Sequence, residues 1–175
     1  MSGSPTCDLR PLIDTDLVIF EREYASRCGA GRYQWFGFST PGRGLAEMGA
    51  IGDSGGRLAI VVEQRVIGSA FWFRREWGPP ETSWCWELAL HIHSAERGNG
   101  HGTEATRQLV EYLFMHTLAW RLQAIADVSN LPSQRVLERA GFTREGTLRS
   151  AQWREGGRHD QHIYSRLRDD AEPVG

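Results

Sequence analysis

The chain is poor in cysteine and has no residue pattern typical of a metal site. Its three cysteines, Cys7, Cys28 and Cys85, are far apart and form no C-x-x-C pair. An odd number of separated thiols argues against a disulfide framework and is typical of a reduced, cytoplasmic protein. His91 and His93 share one face of a strand, but no cysteine or acidic residue follows at ligand spacing, so we expect no metal.

The sequence also lacks an excess of charge and a long apolar run. Its formal net charge is −2, which gives no electrostatic reason to expect a nucleic-acid partner or an anionic membrane surface. No apolar run approaches the ~20 residues that a membrane helix needs. The first five residues lack the charged and apolar regions of a signal peptide. We therefore expect a cytoplasmic protein with neither membrane nor nucleic acid among its partners.

Length and composition indicate one globular domain. The chain has 175 residues, of which 40% are hydrophobic and 24% charged, which is enough for a single domain with its own core. We expect one domain over residues 1–175, with disordered ends at 1–6 and 169–175. The seven tryptophans are expected to divide between the core and a binding cleft.

Hydrophobic periodicity and turn residues predict alternating strands and helices in the middle of the chain and hairpins towards both ends. Strands are predicted at 8–12, 58–63, 66–74, 83–93, 122–129, 142–153 and 160–167. Helices are predicted at 17–24, capped by one of residues 14–16, at 45–50, from 103 to about 116, and from Pro132 to a stop at Gly141. This order of elements predicts a mixed α/β fold.

A glycine-rich loop separates the fourth predicted strand from the helix that follows it. The loop reads Arg97-Gly98-Asn99-Gly100-His101-Gly102-Thr103. Glycines permit close approach to the backbone, and the free amides and dipole of a helix start attract anions. The pattern predicts a phosphate or pyrophosphate cradle, with a flexible helix entry as the alternative. It is neither the G-x-x-x-x-G-K-[ST] of a P-loop nor the G-x-G-x-x-G of a dinucleotide site.

The pattern R-x-x-G-x-G at 97–102 resembles the acyl-CoA pyrophosphate loop of the GNAT N-acetyltransferase superfamily. Further motifs of that superfamily follow in order: Glu87-Leu88-Ala89, Asn130-x-x-Ser133, Leu137-Glu138-Arg139-Ala140-Gly141-Phe142 and Asp160-x-x-x-Tyr164-Ser165. From 87 to 167 the chain is similar to the branch that contains the ribosomal-protein N-terminal acetyltransferases. The N-terminal half, which shapes the acceptor site in this family, matches only at 9–12 and Asp16.

The resemblance implies a fold and a cofactor. The expected fold is a central, mostly antiparallel sheet of about six to seven strands with helices on both faces, in which strands 4 and 5 splay around acyl-CoA. Acetyl-CoA (coenzyme A) is the implied cofactor, held by Arg97, Gly98, Asn99, Gly100, His101, Gly102, Thr103 and Asn130. Ser133 would lie near the thioester sulfur and donate to the leaving thiolate. The structural alternatives are a surface arginine at 97, a helix cap at Asn130 and an exposed first-turn serine at 133.

Acyl transfer to an amine needs a group that accepts the amine's proton. Glu87 is the first candidate, because it places a charge within an otherwise apolar strand, where an unpaired carboxylate is costly. Its structural alternative is a salt bridge or a position at the edge of the strand. His91 is the second candidate, since strand alternation puts it on the same face as Glu87. If neither matters, catalysis depends on proximity alone.

The acceptor is predicted to be an amine, either of a small molecule or of a peptide N-terminus. Aromatic residues that could line its pocket are Trp35, Phe36, Phe38, Trp72 and Trp153, and the resemblance adds Tyr164; core packing is the alternative for each. A coenzyme-A-binding module without transferase activity is the second functional hypothesis. A kinase-like enzyme is disfavoured, because no phosphate-binding lysine motif is present. The acceptor, the acyl length and the oligomeric state stay open, with a homodimer as one alternative.

Overall fold

The computed structural model describes residues 6–37 and 52–171. The predicted helix at 45–50 and Phe38 lie outside the described residues. Within them the chain forms seven strands, four α-helices and a 3₁₀ turn at Ser94–Glu96. The elements in order are β1 (Asp8–Pro11), α1 (Asp14–Tyr24), α2 (Arg27–Ala30), β2 (Gly55–Val62), β3 (Arg65–Glu76), β4 (Trp84–Ile92), α3 (His101–His116), β5 (Arg121–Asp127), α4 (Leu131–Arg139), β6 (Thr143–Arg154) and β7 (Gly157–Leu167).

The strands form one sheet in the order β1-β2-β3-β4-β5-β7-β6. Every neighbouring pair is antiparallel except β4 and β5, which run parallel. The predicted mixed fold with a mostly antiparallel sheet is therefore confirmed. A parallel pair needs a crossover connection, and α3 supplies it here.

Two turns show why the chain reverses where it does. Glu63 and Gln64 join β2 to β3 with φ values of 48° and 66°, the left-handed pair that a two-residue hairpin uses. Gly141 ends α4 with a φ of 85°, and the amide of Phe142 donates to the Leu137 carbonyl at 3.0 Å. This is the predicted glycine stop of the helix.

Helix α1 begins one turn earlier than predicted. Its first residue is Asp14, and the capping position belongs to Ile13, so the prediction of a cap within 14–16 was wrong. Asp16 lies inside the first turn and reaches back to accept from the Ile13 amide at 2.9 Å and from Arg10 Nη1 at 2.6 Å. The carboxylate therefore satisfies the helix start from the third helical position and ties α1 to β1.

The two faces of the sheet carry different layers. On one face α3 and α4 pack against the main core, which includes Trp72, Leu88, Leu109 and Leu122. On the other face α1 covers a smaller cluster of Phe20, Ala59, Val61 and Val66. No helix within residues 6–37 and 52–171 is both long and apolar enough to cross a membrane.

Candidate active site

Strands β4 and β5 pair over only a short stretch. Their register joins Trp86, Glu87 and Leu88 to Leu122, Gln123 and Ala124. Beyond this point β4 continues beside β3, and β5 continues beside β7. The gap between them is a cleft of about 600 Å³ lined by Leu90, Ala126 and their neighbours. The predicted splay of strands 4 and 5 is confirmed.

The cleft is lined from both faces of the sheet. On the face of α3 and α4 its walls are Thr106, Asn130, Ser133, Val136 and Leu137. On the face of α1 they include Tyr24, Tyr33, Gln34, Arg57, Phe71, Phe73, Arg75 and Glu87. We call these two parts the helix-side half and the α1-side half. A long ligand can therefore enter from one face of the sheet and meet a second ligand at the other.

The glycine loop leads into the start of α3. Gly98 and Gly100 have φ values of 86° and 85°, which side chains rarely adopt. A Cβ at either position would meet no atom within 4 Å. The Gly100 carbonyl accepts from the Thr103 amide at 3.0 Å and opens the helix. Space over a glycine backbone at the amide end of a 16-residue helix fits a pyrophosphate.

The remaining loop residues have structural contacts. A Cβ on Gly102 would lie 3.3 Å from Val136 Cγ2, so this glycine permits α3 and α4 to pack closely. The His101 side chain is buried, at 4% exposure. Arg97 donates from Nε to the Ile92 carbonyl at 2.9 Å and from Nη2 to the Gly29 carbonyl at 3.3 Å. Its guanidinium thus anchors the loop to α2.

Asn130 and Ser133 meet at the start of α4. Asn130 Oδ1 accepts from the Ser133 amide at 3.3 Å, which is the helix-cap alternative. Both residues also line the cleft. Capping uses the oxygen of the Asn130 amide and the backbone of Ser133. The Asn130 amide nitrogen and the Ser133 hydroxyl take no part in the cap, and they are the groups with which these residues are predicted to contact the cofactor.

Glu87 lies in the wall of the cleft and is also salt-bridged. The residue is 5% exposed, and its Oε2 accepts from Arg75 Nε at 2.9 Å and from Gln123 Nε2 at 2.7 Å. The hydrogen bond with Glu87 raises the pKa of Arg75. Both donors fix the orientation of the carboxylate in the wall of the cleft. The salt bridge that was the structural alternative for Glu87 is present, and its position in the cleft wall is also compatible with a proton acceptor.

His91 is a poorer proton acceptor than the sequence suggested. Gln34 Nε2 donates to the Leu90 carbonyl at 2.7 Å, which turns its Oε1 towards His91 Nδ1 at 2.8 Å. The proton therefore resides on Nδ1, and the basic Nε2 is buried without a hydrogen-bond partner. Burial, with Arg97 and His93 nearby, lowers the pKa of His91 to about 3. With this pKa the ring is neutral at pH 7, and Nε2 takes up a second proton only near pH 3.

The predicted acceptor aromatics separate into three groups. Trp72 and Tyr164 are fully buried; Trp72 packs 6.0 Å from the Tyr112 ring, and the Tyr164 hydroxyl donates to Glu138 at 3.4 Å. Their placement as acceptor residues is corrected, because both side chains belong to the core. Phe36 lines the cleft. Trp35 and Trp153 lie in an adjoining depression that shares Phe36 with it.

Sequence reasoning missed most of the α1-side half. Phe71, Phe73 and Arg75 are alternate residues of β3, and alternation places them on the face opposite Trp72. The prediction assigned Trp72 to the acceptor pocket, whereas its neighbours Phe71 and Phe73 line the cleft, so the wrong face of β3 was chosen. Tyr24 is the last residue of α1, inside the predicted helix, whereas Tyr33 and Gln34 lie in the turn that follows α2, for which the sequence indicated no secondary structure.

Asp127 closes the far end of the cleft. Its residue exposure is 4%, and Arg154 Nη2 donates to its Oδ2 at 2.6 Å. Burial alone would raise the pKa of Asp127, but hydrogen bonds from Ser129 and Arg154 outweigh it and lower the pKa to about 2. Within the described ranges no three histidine, cysteine, aspartate or glutamate side chains are grouped so that they could hold a metal ion.

Comparison with curated proteins finds N-acetyltransferases. The chain is 33% identical over 110 residues to the probable N-acetyltransferase YjcK of Bacillus subtilis, covering 63% of this chain and 59% of that protein. It is 39% identical over 59 residues to an aminoglycoside N(6')-acetyltransferase type 1 of Klebsiella pneumoniae, covering 34% and 29%. The chain spans about half the length of the curated relatives that it matches first.

Solved structures share the fold. RimJ of Mycobacterium smegmatis, in complex with CoA-disulfide, superposes with a TM-score of 0.79 at 19% identity over 94% of this chain and 84% of that one. The ribosomal L7/L12 α-N-protein acetyltransferase RimL, in complex with coenzyme A, gives 0.77 at 16% identity over 94% and 95%. Spermidine N-acetyltransferase from Vibrio cholerae, with CoA and spermine, gives 0.74 at 18% identity over 93% and 95%.

The family model described as an acetyltransferase (GNAT) domain matches residues 9–143. This range includes the splayed strands β4 and β5, the glycine loop and the start of α4. The chain therefore belongs to the GNAT acetyltransferase family.

Proposed function

We propose that the protein is an N-acyltransferase that transfers acetyl from acetyl-CoA to a primary amine of a small molecule or a peptide N-terminus. The observation that carries this proposal is the cleft that opens where β4 leaves β5, with Glu87 on one half and Ser133 on the other. Family membership supports the choice of acetyl-CoA. A cytoplasmic location, a homodimer, and the exclusion of nucleic acid and membrane stay predictions.

The open backbone of Gly98 and Gly100 fits the pyrophosphate of acetyl-CoA, because a side chain there would occupy the space that a phosphate needs. The Asn130 amide nitrogen would hold the pantetheine arm. Acetyl-CoA supplies the thioester carbonyl, whose C–S bond breaks as the C–N bond to the amine forms.

Four side chains have proposed parts in this direct transfer. Glu87 accepts the amine's proton, either directly or through a water molecule. The Ser133 hydroxyl donates to the departing thiolate. Arg75 and Gln123 hold the Glu87 carboxylate in place, so they act as positioning residues.

A screen of primary amines with acetyl-CoA tests the proposal. Thiol release and the acetylated product, identified by mass spectrometry, are measured in the same reactions. We expect amine-dependent release with one acetylated amine for each thiol. Binding of acetyl-CoA with no amine-dependent release would instead favour the coenzyme-A-binding module, in which the Glu87 salt bridge is purely structural.

A further inference from the structure

Arg57 is a half-buried arginine in the wall of the cleft. It lies on β2 and lines the α1-side half together with Tyr24 and Phe71. Its guanidinium carbon stacks 4.4 Å from the centre of the Phe71 ring, and its Nε is buried without a hydrogen-bond partner. The charged group is therefore held in the cleft by the Phe71 ring and by a hydrogen bond with the Tyr24 hydroxyl, both of which are neutral partners.

The other arginines that are at least half-buried in the described ranges all donate to an oxygen. Each gives a hydrogen bond to a carboxylate or a backbone carbonyl: Arg10, Arg74, Arg107, Arg121, Arg154 and Arg166. Arg57 forms no ion pair with any carboxylate of residues 6–37 and 52–171. Burial lowers the pKa of Arg57, and among the groups that face it Tyr24 alone raises it. A buried cation without an anion is costly to keep.

The two acids that line the cleft already have arginine partners. Glu87 pairs with Arg75, and Asp127 pairs with Arg154. These two carboxylates therefore stand against three guanidinium groups, those of Arg57, Arg75 and Arg154. An acceptor with several ammonium groups would find no unpaired carboxylate among these residues, whereas an acceptor with an anionic group would pair with Arg57.

We infer that Arg57 binds a carboxylate carried by the acceptor, so that the substrate is an amine with a carboxylate at its other end. This inference rests on the proposed function and names its substrate class. Arg57 is opposite Phe71, which is opposite Ala89 of β4. Two strand spacings separate Arg57 from Ala89, about 10 Å at the backbone. Glu87 and Arg57 share one face of the sheet, so an amine near Glu87 and a carboxylate near Arg57 fit an acceptor of dipeptide length.

The test compares glycylglycine with glycylglycinamide, which has the same size but no carboxylate. In the wild-type protein we expect kcat/KM for acetylation to favour the acid by about tenfold to a hundredfold, since one charge-assisted pair is gained. The Arg57→Gln variant should lose this preference, mainly through KM for the acid, and keep its rate with the amide. Arg57→Lys should keep part of the preference, and Arg149→Gln, at an exposed position, should keep all of it.

A preference that survives Arg57→Gln, or equal use of acid and amide by the wild type, overturns the inference and leaves the proposed function intact. If no amine is acetylated, calorimetric titration of both dipeptides into the protein with coenzyme A decides. Tighter binding of the acid that depends on Arg57 upholds the inference while the proposed function fails. Equal binding of the two overturns the inference.

A stability measurement separates a binding role from a structural one. Because Arg57 forms no ion pair, replacing it by an apolar side chain of similar length removes an uncompensated charge. The thermal midpoint of Arg57→Met should stay equal to that of the wild type or rise, while the preference for the acid disappears. A lower midpoint together with an unchanged preference would assign Arg57 to the framework and overturn the inference.

Discussion

His91 shows how the surroundings of one residue determine its chemistry. Gln34 bonds its Nδ1, the Tyr24 ring lies 4.7 Å from its own, and the residue is 2% exposed. The same burial that lowers its pKa to about 3 makes its protonation unfavourable to the fold. Strand position alone made it a base candidate, whereas its environment gives it a structural role.

The pKa of His91 predicts a loss of stability in mild acid. The unfolded state takes up a proton near pH 6.5, and the folded state does so only near pH 3. Stability from the neutral imidazole is therefore present above pH 6.5 and lost as the pH falls towards 3, by about 2 kcal/mol at pH 5. Thermal unfolding at pH 7.5 and pH 5 should show a smaller difference for His91→Gln than for the wild type.

A matched control is His116→Gln, since His116 is exposed at the end of α3. This variant should keep the full pH difference. The pKa values of Asp127 and Glu145 are lowered from 3.8 and 4.5 to about 2, so their contribution to stability is lost as the pH falls from about 4.5 towards 2, outside the measured interval. An undiminished pH difference in His91→Gln would contradict the neutral, buried state of this histidine.

Asn130 caps α4 in the structure, and we propose that its amide nitrogen also holds the pantetheine arm; substitution can separate the two roles. Serine is as good a cap as asparagine but lacks the amide nitrogen. Asn130→Ser should keep the thermal midpoint and weaken acetyl-CoA binding by about tenfold, the loss of one hydrogen bond. Asn130→Ala should lower both, with about 1 kcal/mol lost from stability. Calorimetry and thermal unfolding measure the two effects, and unchanged affinity in Asn130→Ser would leave the residue as a cap alone.

At the level of elements, the connection from β4 to α3 divides its glycines between two tasks. Gly98 and Gly100 adopt left-handed backbone under open space, while Gly102 faces Val136 across the contact of α3 with α4. The sequence pattern treated the three alike. It placed the loop correctly between β4 and α3, but the neighbour of each glycine depends on how α4 packs.

Gly156 provides a matched control for a test of the loop. It has a φ of 77° with no atom within 4 Å of an added Cβ, much as Gly100 has, but it lies in the turn between β6 and β7. Gly100→Val and Gly156→Val should both lose roughly 1–2 kcal/mol of stability to the left-handed backbone. Only Gly100→Val should weaken acetyl-CoA binding in calorimetric titration. Equal affinities of the two variants would contradict the assignment of the loop to the pyrophosphate.

For the whole molecule, local sequence signals predicted the architecture but not the acceptor site. Gly141 and the hairpin turn are local features: the helix stops at the predicted glycine, and the turn lies at 63–64, one residue before the predicted 64–65. The α1-side half joins Arg57 of β2, Phe71 of β3 and Glu87 of β4 with residues from the end of α1 and from the turn after α2. Which side chains share that space depends on strand register and on the partner of each charge, and neither is encoded within one segment. Trp72, one residue from Phe71, is therefore on the opposite face in the core.

The central claim is that the cleft between β4 and β5 transfers acetyl to an amine with Glu87 as the base. Its most direct test is the rate of amine acetylation by Glu87→Gln against Glu145→Gln across pH. Glu145 also pairs with an arginine, Arg121, and lies outside the cleft wall among the residues described, so both variants lose one ion pair. We predict that Glu87→Gln lowers kcat by about 10²–10⁴-fold at pH 7, recovers as the amine deprotonates at higher pH, and binds acetyl-CoA normally, while Glu145→Gln keeps the wild-type rate. Equal rates of Glu87→Gln and Glu145→Gln at every pH would contradict the claim.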